Sequence, residues 1–240
     1  MFERQTNTAV CIISGGMDST VLLHFLRHKY PRVFALSINY GQRHAKELEC
    51  AAWQCKELGV EHQVVNLSEA LNPLLQGSSL TSSDMEVPEG HYAADNMKAT
   101  VVPNRNMIML AIAAGYGISK TPDNENLYLA YGAHAGDHDI YPDCRQSFTA
   151  ALGQALALCD WKSVLLYTPF IEKSKADIVK LGTEMGVDFS HTWTCYKGHD
   201  QACGRCGTCV ERLEAFAKQG IEDPLTYEDR DYWKTVTKQA

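Results

Sequence analysis

Thr8-Ala9-Val10-Cys11-Ile12-Ile13, followed at once by Ser14-Gly15-Gly16-Met17-Asp18-Ser19-Thr20, is the stretch from which the fold is read. The first six residues are a short apolar run rich in β-branched side chains, the pattern of a strand covered on both faces. Two glycines break it. From Asp18 to Lys29, apolar residues recur at Val21, Leu22, Phe25 and Leu26, a helical spacing that Pro31 ends. Strand, glycine turn, helix is an arrangement that binds phosphate. Glycines let the backbone approach an anion closely, and the first amides of the helix and its positive end favour negative charge. Ser14, Ser19 and Thr20 add hydroxyl donors. Asp18 repels phosphate unless it holds Mg²⁺ or caps the helix, so it points to a metal-bound nucleotide. The stretch has neither the Gly-Lys-Ser/Thr of a Walker loop nor the G-x-G-x-x-G of a dinucleotide site. The plainer alternative is a Gly-Gly turn with an aspartate cap.

Outward from this stretch, strands and helices alternate. Strands are expected at 32–38, 60–67, 127–131 and 164–167, and helices at 44–58, 104–119, 146–158 and 174–185, with a short one at 210–218. Such alternation predicts an α/β fold with a doubly wound, mainly parallel sheet. Residues 72–100 break the pattern with Pro, Ser, Gly and acidic residues, and are expected to form a lid or substrate loop. The chain is expected to divide into an α/β domain over 1–190 and a small cysteine-bearing helical subdomain over 191–240, which ends in a polar tail.

The 240 residues are 45% hydrophobic and 21% charged, with a formal net charge of -7. That composition suits a globular chain and argues against disorder. An acidic total is a poor match for stable nucleic-acid binding, which leans on cationic residues. The polar start lacks a signal-peptide pattern, and the longest apolar run, 107–114, is too short to span a membrane. A cytoplasmic location follows as the expectation.

In that compartment, nine cysteines are thiols or metal ligands rather than disulfides. Five are scattered. Cys195, Cys203, Cys206 and Cys209 are clustered, and four soft ligands with two C-x-x-C knuckles fit one tetrahedral structural zinc. An iron–sulfur cluster uses the same ligands, and catalytic thiols for sulfur transfer are a third reading.

Other polar clusters follow strands or lie in long loops: Tyr40-Gly41-Gln42-Arg43-His44 with Glu47, Val102-Pro103-Asn104-Arg105-Asn106, His134-Ala135-Gly136-Asp137, Tyr141-Pro142-Asp143-Cys144-Arg145, and Lys173-Ser174-Lys175. Loops at the carboxyl ends of parallel strands meet at one sheet edge, so these residues can converge. Each also has a plain reading. Asn104 and Ser174 can simply cap helices, Tyr-Pro-Asp can be a turn, and Arg43 with Glu47 can be a surface pair.

SGGMDS matches the S-G-G-x-D-S signature of the N-type ATP pyrophosphatases, or PP-loop enzymes. The wider set, SGGMDST, YGQRHAKE, VPNRN, HAGDHDIYPDCR, KSKADIV and TWTCYKG…CGRCGTCVER, resembles the 7-cyano-7-deazaguanine synthase family from the first strand to about Phe216. The resemblance implies an adenine nucleotide alpha hydrolase-like, Rossmann-like fold. It also implies an ATP-dependent carbon–nitrogen ligase that converts 7-carboxy-7-deazaguanine and ammonia to the nitrile through adenylated carboxylate and amide, releasing AMP and pyrophosphate. It assigns Ile13, Ser14, Gly15, Gly16, Met17, Asp18, Ser19, Thr20, Val21 and Leu22 to ATP, with Mg²⁺ near Asp18, and the four clustered cysteines to zinc. Arg105, Lys173 and Arg145 become candidates to neutralise phosphate or carboxylate charge. His134, Asp137 and Asp143 become candidates for the guanine-like edge or ammonia, with Arg43, His44, Glu47 and Asn106 as further site candidates. Relatives in the family imply a homodimer. One departure is Asn104, where glycine is expected in many relatives; asparagine tolerates unusual dihedrals better than most residues. The competing readings are a PP-loop tRNA-modifying enzyme, of thiolase or lysidine type, and a non-catalytic, zinc-stabilised nucleotide-binding module.

Overall fold

In the computed structural model, which describes residues 7–43, 45–82, 84–198 and 200–237, five strands pair in parallel: β1 (Thr8–Ile12), β2 (Arg32–Asn39), β3 (Glu61–Asn66), β4 (Leu127–Ala130) and β5 (Val164–Tyr167). Their order across the sheet is β3-β2-β1-β4-β5. The chain moves outward from β1 to β3, then crosses back to the other side of β1. Between β1 and β4 the winding reverses, and in open parallel sheets that is where a crevice opens at the carboxyl ends of the strands. The Ser14–Ser19 loop leaves β1 at this point.

The helices are α1 (Met17–Lys29), α2 (Ala45–Glu57), α3 (Ser68–Leu71), α4 (Arg105–Lys120), α5 (Gln146–Leu156), α6 (Lys175–Glu184), α7 (Gly207–Lys218) and α8 (Trp233–Val236). Successive strand side chains point to opposite faces, so β1 feeds two cores. Ala9 and Cys11 pack with Leu22 and Leu26 of α1, Ala51 of α2, Ile178 of α6 and Phe216 of α7. Val10 packs on the other face, with Leu110 of α4 and Leu152 of α5. This is the doubly wound α/β architecture expected from the alternating pattern. β3, at one edge, has no buried residue among its six and carries Glu61, which Lys120 reaches at 2.5 Å; polar side chains on an edge strand discourage pairing with another chain.

The stretch at 72–100 is well tied down. It begins after α3 and closes with a 3₁₀ turn at Asp95–Thr100. Leu75 and Leu80 pack on Tyr40 and Val102. Its far half clips onto the cysteine segment: the Gly90 amide donates to the Arg205 carbonyl (3.0 Å), and Glu89 accepts from Lys197 and from Arg205 Nε (2.8 Å). The segment after α7, read from sequence as a polar tail, is also packed. Asp223 is 3% exposed and takes both Nε and Nη2 of Arg212, while residue 202 bridges residue 227. No apolar periodicity marks this segment because polar bonds, rather than an apolar face, hold it.

Asn104 precedes α4 with φ 54° and ψ 18°, the one non-glycine with positive φ among the described residues. The left-handed conformation therefore survives where glycine was expected, and the side chain makes no cap bond to the helix. Replacing Asn104 with alanine should lower unfolding free energy by roughly 1 kcal/mol, the usual cost of that conformation for a Cβ without local polar compensation. The glycine variant should be close to wild type. Denaturant midpoints of the three proteins check this; equal midpoints for alanine and wild type would refute it.

Candidate active site

The loop after β1 is held from both sides. Gly15 has φ 92°, and a Cβ there would lie 1.8 Å from the Glu47 carbonyl oxygen of α2. Glycine is thus required both by conformation and by the approach of the helix backbone. On the other side, the Gly15 carbonyl accepts from the amide of Trp193 (2.9 Å), so the segment leading into the cysteine cluster braces the loop. Inside the loop, Ser19 Oγ takes the Ser14 amide (3.2 Å) and lies 3.1 Å from Ser14 Oγ, which takes the Gly16 amide (3.1 Å).

A cavity of about 240 Å³ opens above this loop. Ile13, Ser14, Gly16, Met17, Asp18 and Ser19 line it; Gly15, Thr20, Val21 and Leu22 do not. Thr20, Val21 and Leu22 are wholly buried, the last two in the core around β1. They shape the helix that carries the loop and do not face a ligand in the cavity.

The charged centre of the cavity is Asp18. Its Oδ2 lies 3.4 Å from Lys175 Nζ, which also pairs with Glu211 Oε2 at 2.6 Å. His134 Nδ1 accepts the Gly136 amide (3.1 Å), so its proton is on Nε2, which faces Asp18 Oδ2 (3.7 Å) and Asp137 Oδ2 (3.5 Å). Burial alone would raise the Asp18 carboxyl; Lys175, then His134, outweigh it and hold the group below the usual carboxylate range. Burial works against charge on Lys175 too, but Asp18, Glu211 and Asp137 hold it protonated. Asp18 Oδ1 is buried and has no hydrogen-bond partner. A buried, ionised oxygen without a donor is costly, and its anionic character fits a hard cation such as Mg²⁺.

Farther from Asp18, Glu47 of α2 and Arg105 and Asn106 of α4 also line the cavity, with a tyrosine-rich wall that includes Tyr40, Tyr131 and Tyr196. Burial pushes the Glu47 carboxyl up to about 8, against the pull of Arg105. Arg105 stays charged despite its own burial, beside the phenol oxygens of Tyr40 and Tyr196. Asn106 sends its Nδ2 to Cys144 Sγ (3.5 Å).

Of the remaining candidates, His134 stands directly behind Asp18, and Asp137 lines the cavity. His44 lies outside the described residues. Arg43 does not pair with Glu47; it donates to the carbonyls of Ser82 and Met85 (the latter at 2.7 Å) and so anchors the 72–100 stretch. Asp143 accepts the Asn106 amide (3.4 Å) from within a Pro142–Cys144 3₁₀ turn, and braces α4. Arg145 is exposed and donates Nε to the His138 carbonyl (2.8 Å). Lys173 is exposed, and Ser174 caps α6 in a capping box with Asp177. The lysine that reaches the site is Lys175. Its position was legible: Lys175, Ile178, Val179 and Gly182 form one helical stripe, and all four are buried. Glu211 is buried on α7 beside Val210, Arg212 and Leu213, and since these consecutive residues face different ways no helical stripe in the sequence singles it out.

Cys195, Cys203, Cys206 and Cys209 are buried, and their Sγ atoms all lie within 4.8 Å of one another. Backbone amides turn toward the sulfurs: Cys203 and Lys197 donate to Cys195 Sγ (3.3 and 3.4 Å), and Cys206 and Arg205 to Cys203 Sγ (3.3 and 3.4 Å). N–H donors stabilise thiolates. A tetrahedral site with Zn–S near 2.3 Å needs sulfurs about 3.8 Å apart, which this cluster accommodates. The donor set fits a metal.

No helix among the described residues is long and apolar enough to cross a membrane. The chain matches the family described as Queuosine biosynthesis protein QueC over residues 8–220. It is 52% identical over 222 residues to the 7-cyano-7-deazaguanine synthase of Hahella chejuensis, covering 92% of this chain and 94% of that protein. It is equally identical over 220 residues to the 7-cyano-7-deazaguanine synthase of Methanoregula boonei, covering 92% of this chain and 99% of that one. Among solved structures, NMN synthetase from Francisella tularensis superposes with TM-score 0.51 at 14% identity, covering 98% of this chain and 86% of the other, which reflects a shared fold. The chain is an enzyme that belongs to the QueC family of queuosine biosynthesis proteins.

Proposed function

We propose that the enzyme converts 7-carboxy-7-deazaguanine and ammonia to 7-cyano-7-deazaguanine, cleaving ATP to AMP and pyrophosphate. The observation that carries this reading is the orphaned, buried Asp18 oxygen beside Lys175, at the mouth of a glycine loop that ends the first strand. Family membership supplies the substrate class; the cavity chemistry is consistent with it.

In this reading the pyrophosphate part of ATP lies on the Ser14–Ser19 loop, where backbone amides and the start of α1 favour negative charge. Asp18 Oδ1 would hold Mg²⁺, which neutralises phosphate charge when bound. Lys175 supplies a fixed positive charge, oriented by Glu211, where the pyrophosphate leaves. A substrate carboxylate oxygen attacks the α-phosphorus, and the bond to pyrophosphate breaks. Ammonia displaces AMP to give the amide and gives up a proton, for which the carboxylates of the site are acceptors. The amide oxygen then attacks a second ATP in the same manner. Loss of AMP and of both remaining N–H protons leaves the nitrile. A poor leaving oxygen is thus converted twice to a phosphate ester on one loop. Arg105 offers a charge partner for the carboxylate, and the tyrosine wall offers flat faces for a purine-like ring. The four cysteines hold zinc in this reading, as a structural ion with all four positions filled. The partners are small: the deazapurine acid, ATP and ammonium.

Incubation with the deazapurine acid, ATP, Mg²⁺ and ammonium should give AMP, pyrophosphate and the nitrile by mass spectrometry. ADP in place of AMP, or sulfur in the product, would refute the reading and favour a different PP-loop chemistry. Lys175→Met should lower turnover by on the order of a hundredfold or more, whereas Lys173→Met should leave it unchanged; equal effects would show that the buried lysine is not a catalytic charge. Elemental analysis should find about one zinc per chain, lost on Cys206→Ser. Iron with a visible absorption band would contradict the assignment.

A further inference from the structure

Arg212 is the largest side chain in the fully buried set and lies outside the cavity. A buried guanidinium is costly unless all its donors are met. Here they are: Nε and Nη2 grip the two oxygens of Asp223 (2.7 and 2.9 Å), Nη1 reaches Thr192 Oγ1 (2.7 Å) and Thr194 Oγ1 (3.2 Å), and Nη2 reaches the Phe189 carbonyl (3.1 Å). Asp223 is itself fixed by the Leu225 amide (3.1 Å) and Tyr227 hydroxyl (2.5 Å). Well-packed apolar residues would stabilise the same volume as well as an ion pair does. What they would not supply is direction, and the direction here is specific. Three of the acceptors belong to residues 189–194, and two of them, Thr192 and Thr194, flank Trp193.

We propose that Arg212 is a positioning residue for the phosphate loop, acting through Thr192, Thr194 and the Trp193 amide on the carbonyl of Gly15. The inference rests on the proposed ATP chemistry and deepens it. A trans peptide is planar, so its carbonyl and N–H point in opposite directions. Holding the Gly15 carbonyl on Trp193 therefore fixes where the Gly16 N–H points, and that N–H meets Ser14 Oγ, the partner of Ser19 Oγ. Three residues that line the cavity floor thus take their orientation from a guanidinium that never touches the ligand. Arginine suits this task and lysine does not, because only a rigid planar fork serves five acceptors in fixed directions.

The test uses Thr192→Val/Thr194→Val, which keeps side-chain volume and the Arg212–Asp223 pair but removes the hydroxyl link. Calorimetric titration of the full-length protein with Mg-ATP, without the deazapurine acid, gives the dissociation constant; thermal unfolding is measured alongside. The double variant should bind ATP about tenfold more weakly, the effect of losing one or two buried hydrogen bonds, and Thr192→Val alone, which leaves the cavity-lining Thr194 in place, should weaken ATP binding in the same direction. Tyr227→Phe, which loosens Asp223 on the side away from Trp193, should lower the thermal midpoint without moving ATP affinity. If the double variant fails to fold, Thr192→Val alone, which lies outside the cavity lining, is read in the same way. ATP affinity unchanged in the threonine variant, or reduced equally in the tyrosine variant, would overturn the proposal and make Arg212 purely structural. A wild-type protein that does not bind Mg-ATP would overturn the functional reading first, and this inference with it.

Discussion

The hydrogen bond from the Trp193 amide to the Gly15 carbonyl joins two parts of the chain that are far apart in sequence. On one side is the loop that ends β1, at the point where the sheet reverses its winding. On the other is the segment that enters the cysteine cluster. Gly15 sits between Trp193 and the backbone of α2, with no space for a Cβ. The cavity therefore depends on a C-terminal segment that has little apolar core of its own. That segment is held by a metal-type cluster, by Arg212 on Asp223, and by Glu89 reaching across from the 72–100 stretch.

The second constraint is electrostatic. Asp18, Asp137 and Glu211 crowd around Lys175, with His134 Nε2 facing Asp18 and Asp137 from behind. Three carboxylates and one ammonium form an anionic surrounding, which repels a bare polyphosphate. A nucleotide carrying a divalent cation is a better match, and the unpartnered Asp18 oxygen is placed to take part. The same carboxylates hold Lys175 charged in a buried position, where burial works against its charge. Low local dielectric then makes that charge effective on an anionic group bound in the cavity.

Much of this was legible in the sequence. The unbroken run at Thr8–Ile13 announced a strand buried on both faces, and it feeds a core on each. The cysteine spacing announced a four-thiol site, and the sulfurs meet. The side chains that reach the cavity were harder to choose. Lys173 and Lys175 are two residues apart and chemically identical. Only the helical stripe through Ile178, Val179 and Gly182 tells which one turns inward. Arg145, Asp143 and Arg43 were marked by their loops but spend their polar atoms on backbone groups or helix ends. A local motif does not show which polar groups must satisfy the backbone first. The 219–237 segment was read as a tail because its burial comes from an ion pair and not from periodicity, and a buried arginine–aspartate pair leaves no pattern in a hydropathy trace.

In the proposed reaction one loop activates the same carbon twice through its oxygen atoms. Deazapurine acid labelled with ¹⁸O at both carboxylate positions tests it directly, with mass spectrometry of the nucleotide products. Both labels should appear in AMP, one oxygen per AMP formed, with none in pyrophosphate. Label in pyrophosphate or inorganic phosphate, or released to water with unlabelled AMP, would contradict it.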